Sequence, residues 1–342
     1  MKNLLLGISA WVLAAAFCSC NHKELCYQHP HTASIRVEFD WRDAAEADPE
    51  GMCVFFFPNQ GEEAPMRRFD FKGKDGGLID IQVGKYQVLC FNNDTETVLF
   101  RGTEGFDTYE AFTRDCDLFE IVYGSAARSG VPRAAEAEAE RVILSPDMMW
   151  GCVARDVEIT DDGISLISVP ESGKSERTGN PASGPERVIT LFPHSQVCTY
   201  TYEIRNVKGL EHVSQMCGSI TGMAPSMLLH DESLGTECVT IPFGASADGQ
   251  SSIIGKFLTF GHNEDNSGQH RMMLYVWMDN GEKYCYGAEG ERFNVTGQIH
   301  SAPDKRNVHI IIDGLEFPQP FGGGDLDTKV DDWREIDEDI HF

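Results

Sequence analysis

Ile35-Arg36-Val37-Glu38-Phe39-Asp40-Trp41 sets apolar residues on one face and charged residues on the other, with a period of two. That alternation describes a half-buried strand, because successive side chains of an extended chain point to opposite sides. The same period recurs along most of the chain. Strands are predicted over 52–57, a continuous Met-Cys-Val-Phe-Phe-Phe run closed by Pro58, and over 66–71, 78–83, 85–92, 97–101, 117–123, 141–145 and 148–158. Beyond a polar gap they resume at 187–192, 197–207, 213–220, 236–243, 252–260, 271–278, 283–287, 291–296 and 307–313. Short turns separate them and long stretches of 3.6-residue period are nearly absent, which favours antiparallel β-sandwiches over alternating strands and helices. Only 134–140, rich in Ala and Glu, has helical composition. Asp279-Asn280-Gly281 predicts a two-residue type I′ hairpin joining 271–278 to 283–287, since Asn and Gly tolerate the positive φ of such a turn. The polar loop His262–Gly268 is expected to join 252–260 to 271–278 at one end of a sandwich.

The N-terminus carries an address. Lys2 precedes an apolar run from Leu4 to Phe17, too short to span a bilayer, and the run meets Ser19-Cys20. The arrangement resembles a bacterial lipobox, in which a small residue precedes a cysteine that is cleaved free, acylated and left as the first residue of the mature chain. Ser19 makes Cys20 the expected lipid attachment site in preference to Cys18, which follows bulky Phe17. One acyl chain holds a protein to a membrane only marginally; the three of a lipoprotein anchor it stably.

The expected organisation is a signal peptide (1–19), a lipidated tether (20–33), an N-terminal sandwich (34–169), a linker or long loop (170–186), a C-terminal sandwich (187–320) and a Gly-rich, acidic C-terminal segment (321–342). The linker reads PESGKSERTGNPASGP over 170–185, polar and without anything to bury. The final segment holds eight acids and two bases from Asp325 to Phe342, yet Val330, Trp333, Ile336, Ile340 and Phe342 are too apolar for a solvating tail. It reads either as an edge strand of its own domain or as a strand shared with another molecule through Trp333, Ile336, Ile340 and Phe342.

With 54 acidic and 28 basic residues the formal net charge is -26, which excludes a generic affinity for nucleic acid and disfavours anionic membrane surfaces. After Cys20 nine cysteines remain, none two to four residues from another, so zinc-knuckle spacings are absent. Most read as buried thiols in apolar strands; one or two disulfides stay open, because export permits them. No nucleophile elbow, phosphate loop or zinc-protease helix occurs, so no catalytic residue and no cofactor is expected. His22, His29 and His31 lack a fixed third ligand and read as part of the tether, so no metal is assigned. Asp94 has the setting of an Asx turn and not of a calcium loop. Trp41, Trp150 and Trp277 read as core; Trp333, among charged neighbours, is the aromatic best placed for a functional role.

Taken together, His29-Pro30-His31, IRVEFDW (35–41), PEGMCVFFFP (49–58), FNNDTE (91–96), LTFG (258–261), VTGQIHSAPD (295–304) and VDDWREIDEDI (330–340) resemble a family of uncharacterised Bacteroides-type lipoproteins, a domain of unknown function similar to the FimB/Mfa2 group of fimbrial anchor subunits. The resemblance covers nearly the whole mature chain. It implies two tandem transthyretin-like, fimbrillin-type sandwiches, an outer-membrane lipid anchor, fimbrillin-like partners and a non-enzymatic role in fimbria assembly or adhesion. The alternative is a lipid-anchored module that binds glycans or host ligands. Asn21-His22-Lys23-Glu24 carries one acid only, which leaves the face of the outer membrane open.

Overall fold

The computed structural model describes residues 31–61, 64–119, 133, 140–160, 163–166, 187–264, 268–319 and 333–336. The expected signal peptide, Cys20, residues 134–139, the expected linker, Ile340 and Phe342 lie outside them. The strands are β1 (Thr32–Phe39), β2 (Gly51–Pro58), β3 (Arg67–Lys72), β4 (Gly77–Gln82), β5 (Gly84–Asn92), β6 (Val98–Arg101), β7 (Glu110–Thr113), β8 (Arg141–Val142), β9 (Trp150–Thr160), β10 (Gly163–Leu166), β11 (Val188–Leu191) and β12 (His194–Ser195). They continue with β13 (Cys198–Lys208), β14 (Val213–Met223), β15 (Ser226–Leu228), β16 (Val239–Gly244), β17 (Ser246–Ala247), β18 (Ile253–Thr259), β19 (Met272–Met278), β20 (Lys283–Tyr286), β21 (Asn307–Glu316) and β22 (Arg334–Ile336). One short helix, α1 (Thr296–His300), precedes β21. The protein is all-β.

In β1 the predicted alternation is realised: Ala33, Ile35 and Val37 are buried while Thr32, Ser34 and Arg36 face solvent. The sheet β11-β1-β4 lays that apolar face against the sheet β10-β9-β5-β2-β3. β2 behaves differently, because seven of its residues are buried in an unbroken run. Met52, Val54 and Phe56 enter the core of this first sandwich, while Cys53, Phe55 and Phe57 point the other way into a second apolar cluster. A third layer, the sheet β15-β7-β6, covers that second face. β7 escapes the period-two reading because it is only four residues long.

The second sandwich pairs the sheet β22-β20-β19-β14-β16-β8 with the sheet β17-β18-β13-β21. Its central β19 repeats the device of β2: Met272, Leu274, Val276 and Met278 fill the inter-sheet core, and Met273, Tyr275 and Trp277 pack outward against Leu118, Phe119, Val142 and Trp333. Antiparallel pairing dominates, but β1–β11, β13–β21, β16–β8 and β20–β22 are parallel.

Three local expectations change. The hairpin β19–β20 forms, but with three residues in its loop: Met278 and Glu282 bracket it through the Met278 N–H to Glu282 O bond at 2.8 Å, and positive φ falls on Gly281 at 86° and not on Asn280. This fits a type I turn followed by a left-handed glycine, so the type I′ expectation is corrected. Residues 291–296 contribute a single bridge, Asn294 to Arg271, and no strand. There Asn294 Oδ1 accepts from Thr296 N–H at 3.2 Å and from Thr296 Oγ1 at 2.7 Å, so the side chain competes with a ladder and starts α1. Residues 117–119 form no strand; Leu118 and Phe119 are buried against the outer face of the second sandwich.

The two sandwiches interlock. β8, from the first half of the sequence, extends the second sandwich's sheet beside β16, and β15, from the second half, pairs with β7. β11 and β12, which follow the expected linker, return to β1 and β9 of the first sandwich. Val197, Met227, Leu229 and Phe260 join the cluster behind β2. A polar cluster lies at the same junction. Glu232 sits at φ 61°, in the left-handed region, within a turn where Asp231 Oδ1 accepts from Ser233 N–H at 3.0 Å. Its carboxylate meets His194 Nε2 at 2.6 Å and the Arg306 guanidinium, which also donates to Ser195 O. Burial alone would raise the Glu232 carboxyl; the His194 hydrogen bond, with the Arg306 charge and Gln196, holds it at about 2.

Phe56, fully buried and edge-on to Phe69 and Tyr86, is expected on change to Ala to cost the first sandwich ~3–5 kcal/mol in urea unfolding. Leu78→Ala, at a site 73% exposed, should move stability by less than ~0.5 kcal/mol. A carboxylate held low stabilises the fold above the ordinary carboxylate range and loses that contribution as pH falls through it. Melting midpoints of Glu232→Gln should therefore lie below those of the parent at pH 6 and converge with them between about pH 4.5 and pH 2. Since a third of the Glu232 side chain touches water, screening keeps the difference modest.

Candidate functional site

Of the residues expected to meet a partner, Trp333 and Ile336 are described. Trp333 is partly buried on the outer face of the second sandwich, with ring centroids 5.1 Å from Phe119, 5.5 Å from Tyr275 and 4.9 Å from Trp277. The last two contacts are near perpendicular, at 79° and 78°, the edge-to-face geometry that aromatic quadrupoles favour. Directly after it, β22 runs parallel to β20, with Arg334, Glu335 and Ile336 opposite Tyr284, Cys285 and Tyr286. Arg334 reaches Glu282 at 2.8 Å. Residues 334–336 thus form an edge strand of their own sheet, and the indole of Trp333 faces inward.

Only three residue pairs hold β22. Several other margins are blunted. β3 carries Arg67, Arg68 and Lys72, which discourage pairing with a further strand. At β21 the Gln298 side chain occupies the edge, donating to Ile311 O and accepting from Ile311 N–H, both at 2.8 Å. β17 is two residues long.

Other sequence candidates resolve into structural roles. Trp277 is buried, and Trp41, half-buried, donates from Nε1 to Lys74 O at 2.9 Å. Asp94 ties the loop after β5: it accepts from Glu50 N–H at 2.9 Å and from Asn92 Nδ2 at 2.6 Å, while Asn92 Oδ1 accepts from Trp150 N–H at 2.7 Å. Cys53, Cys90, Cys152, Cys198, Cys217 and Cys285 are buried free thiols, with Cys90 and Cys152 Sγ 3.2 Å apart across β5 and β9. Burial pushes the Cys53 and Cys217 thiols up to about 12 and Cys198 up to about 11, so they stay protonated and unreactive at neutral pH. His31 is exposed at the start of β1; His22 and His29 lie outside the described residues.

A group the sequence did not signal is His262, His270 and His300, which the fold gathers at one end of the second sandwich. His262 follows β18, His270 precedes β19 and His300 ends α1. His270 is fixed by its own N–H donating to Thr296 Oγ1 at 2.8 Å and by Val295 N–H donating to its carbonyl at 2.9 Å. Its ring lies against Gly222, where φ is +78° and an added Cβ would stand 2.8 Å from His270 Nδ1, so glycine is required on both counts. Burial lowers His262 to about 4 and lowers His270, with the neighbouring histidines adding to the effect. Spacings of eight and thirty residues form no recognisable ligand motif, and only the paired histidines flanking the 262–268 loop hinted at convergence.

No helix among the described residues is long and apolar enough to cross a membrane. In sequence, 207 residues of this chain are 24% identical to Fim4B of Bacteroides ovatus, a candidate fimbrium anchoring subunit; the match covers 60% of this chain, which spans half the length of that relative. In structure, a candidate adhesin from Bacteroides ovatus ATCC 8483 superposes with a TM-score of 0.52 at 18% identity, over 85% of this chain and 95% of that one, a likeness of fold. The fimbrial anchor protein Mfa2 from Porphyromonas gingivalis matches 82% of this chain and 91% of its own at 12% identity, with a TM-score of 0.43, too distant to argue from. The model of the domain of unknown function DUF5119 matches residues 19–244, most of the chain, and the protein belongs to that family.

Proposed function

We propose that the protein is a non-enzymatic, lipid-anchored subunit of the cell envelope that anchors or accompanies a fimbria-type assembly. The observation that carries this reading is its 24% identity with Fim4B over 207 residues, which span both interlocked sandwiches in part and not one isolated module. Acylation of Cys20 would fix one end to the outer membrane, on a face left open, and residues 20–33 would tether the folded body. The net charge of -26 suits a body that stands away from anionic lipid. A fimbrillin-like partner would then add a strand beside β22 or take its place on β20, main-chain bonds supplying affinity and side-chain pockets supplying selectivity. The glycan-binding alternative is less favoured, because Trp333 packs against Phe119, Tyr275 and Trp277.

Two experiments test the proposal. Cells fed labelled palmitate should incorporate it into the parent and into Cys18→Ala but not into Cys20→Ala, which should leave the membrane fraction; label retained by Cys20→Ala refutes Cys20 as the site, and a parent without label refutes the anchor. Detergent pull-downs with the parent should recover fimbrillin-like subunits, and a chain lacking 325–342, shown by melting to remain folded, should recover fewer by several fold. Undiminished recovery removes the C-terminal segment from the partner contact, and recovery of none by the parent removes the fimbrial role.

A further inference from the structure

His262, His270 and His300 each offer a ring nitrogen, and the three nitrogens lie within 4.8 Å of one another. His270 and His300 meet Nε2 to Nε2 at 3.1 Å, and the rings of His262 and His300 lie parallel within 13° with centroids 5.1 Å apart. His262 is 7% exposed, and its buried Nε2 has no hydrogen-bond partner. A buried polar atom left unsatisfied is costly, and natural folds keep few of them unless something else supplies the bond.

The outward nitrogens are already oriented. His270 Nδ1 faces Thr221 O at 3.2 Å; a carbonyl can only accept, so Nδ1 carries the proton and Nε2 keeps its lone pair. His262 Nδ1 lies 2.9 Å from Tyr200 Oη, which can accept from an Nδ1–H and leave the Nε2 lone pair directed inward. Ligand histidines are held in this way, one nitrogen on the metal and the other on an oxygen of the protein. We propose that His262, His270 and His300 form a three-imidazole site for a divalent first-row transition ion, with zinc as the expected occupant. An all-nitrogen set suits zinc, copper or nickel, and it disfavours calcium and magnesium, which want oxygen.

Zinc–nitrogen bonds of ~2.0–2.1 Å put tetrahedral ligand nitrogens about 3.3 Å apart, close to the existing His270–His300 separation; the widest pair must close by about 1.5 Å. His300 is the partly exposed member, so a water completes the fourth position from its side. In the metal-free protein His300 Nε2–H donates to His270 Nε2; on loading that proton moves to His300 Nδ1 and the lone pair of Nε2 goes to the ion. Lys305 donates to His300 O, and Glu264 at 3.5 Å offsets its charge. The ion would clamp the β18–β19 connection to α1 across the two sheets.

The test uses the mature chain without a polyhistidine tag, with His22, His29 and His31 changed to Gln and metal removed by chelation. Cobalt(II) should bind at one equivalent with the visible bands of four-coordinate geometry, zinc should displace it, and zinc at a hundredfold excess over Kd should raise the melting midpoint by roughly 5 °C. His300→Gln should keep the metal-free melting midpoint within about 2 °C, as its site is partly exposed, and lose the bands and the zinc shift. Tyr200→Phe should weaken binding about 10–100-fold. A folded parent that takes up no stoichiometric cobalt or zinc overturns the assignment, as does His300→Gln binding as tightly as the parent.

Discussion

Burial of β2 and β19 on both faces is the constraint around which the molecule is arranged. A strand in a simple sandwich needs apolar residues on one face only, so an unbroken run such as Met52–Phe57 or Met272–Met278 leaves its second face unsatisfied unless another layer covers it. The protein supplies that layer twice, with the sheet β15-β7-β6 behind β2 and with Leu118, Phe119, Val142 and Trp333 behind β19. At ~25 cal/mol per Å² of apolar surface removed from water, leaving either face bare would be a severe loss for a domain whose net stability is small. In both cases part of the covering layer comes from the other half of the chain, β15 behind β2 and Leu118, Phe119 and Val142 behind β19, which is why the two sandwiches interlock.

That arrangement bears on function. If the protein serves as the anchored subunit proposed above, its junction would be held by apolar packing and the Glu232–His194–Arg306 cluster together. The cluster is placed by a left-handed residue at 232, a conformation that non-glycine chains adopt only when the surroundings enforce it. The C-terminal edge is built differently. There a single indole is well packed, the strand that follows is short, and Ile336 touches the second core only from its margin, so exchange of β22 would disturb that margin and the Ile336 contact.

The thiols and the histidines show how one residue type takes its character from its setting. Buried among apolar strands, the described cysteines are small hydrophobes whose protonated state is enforced by burial. His262 and His270 at the end of the second sandwich are also buried, yet one nitrogen of each is held by a protein oxygen, Tyr200 Oη and Thr221 O, and the partly exposed His300 lies beside them.

Local alternation was enough to read the β class, most strand positions and the hairpin at 271–287, because the side-chain period is a property of a few consecutive residues. The unbroken apolar run 52–57 marked a strand, and its burial on both faces came with the layers that cover it. Which strands become neighbours was beyond it: nothing in Arg141-Val142 announces β16, and nothing in Val188–Leu191 announces β1, since pairing depends on which edges the remaining chain leaves open. Trp333 shows the same division, its charged flanks pointing to exposure while three aromatic rings from distant segments draw it in. The histidine cluster belongs wholly to tertiary structure. Its members gain meaning only when two sheets stack and bring a loop and a helix end together, a distance relation that no linear spacing encodes.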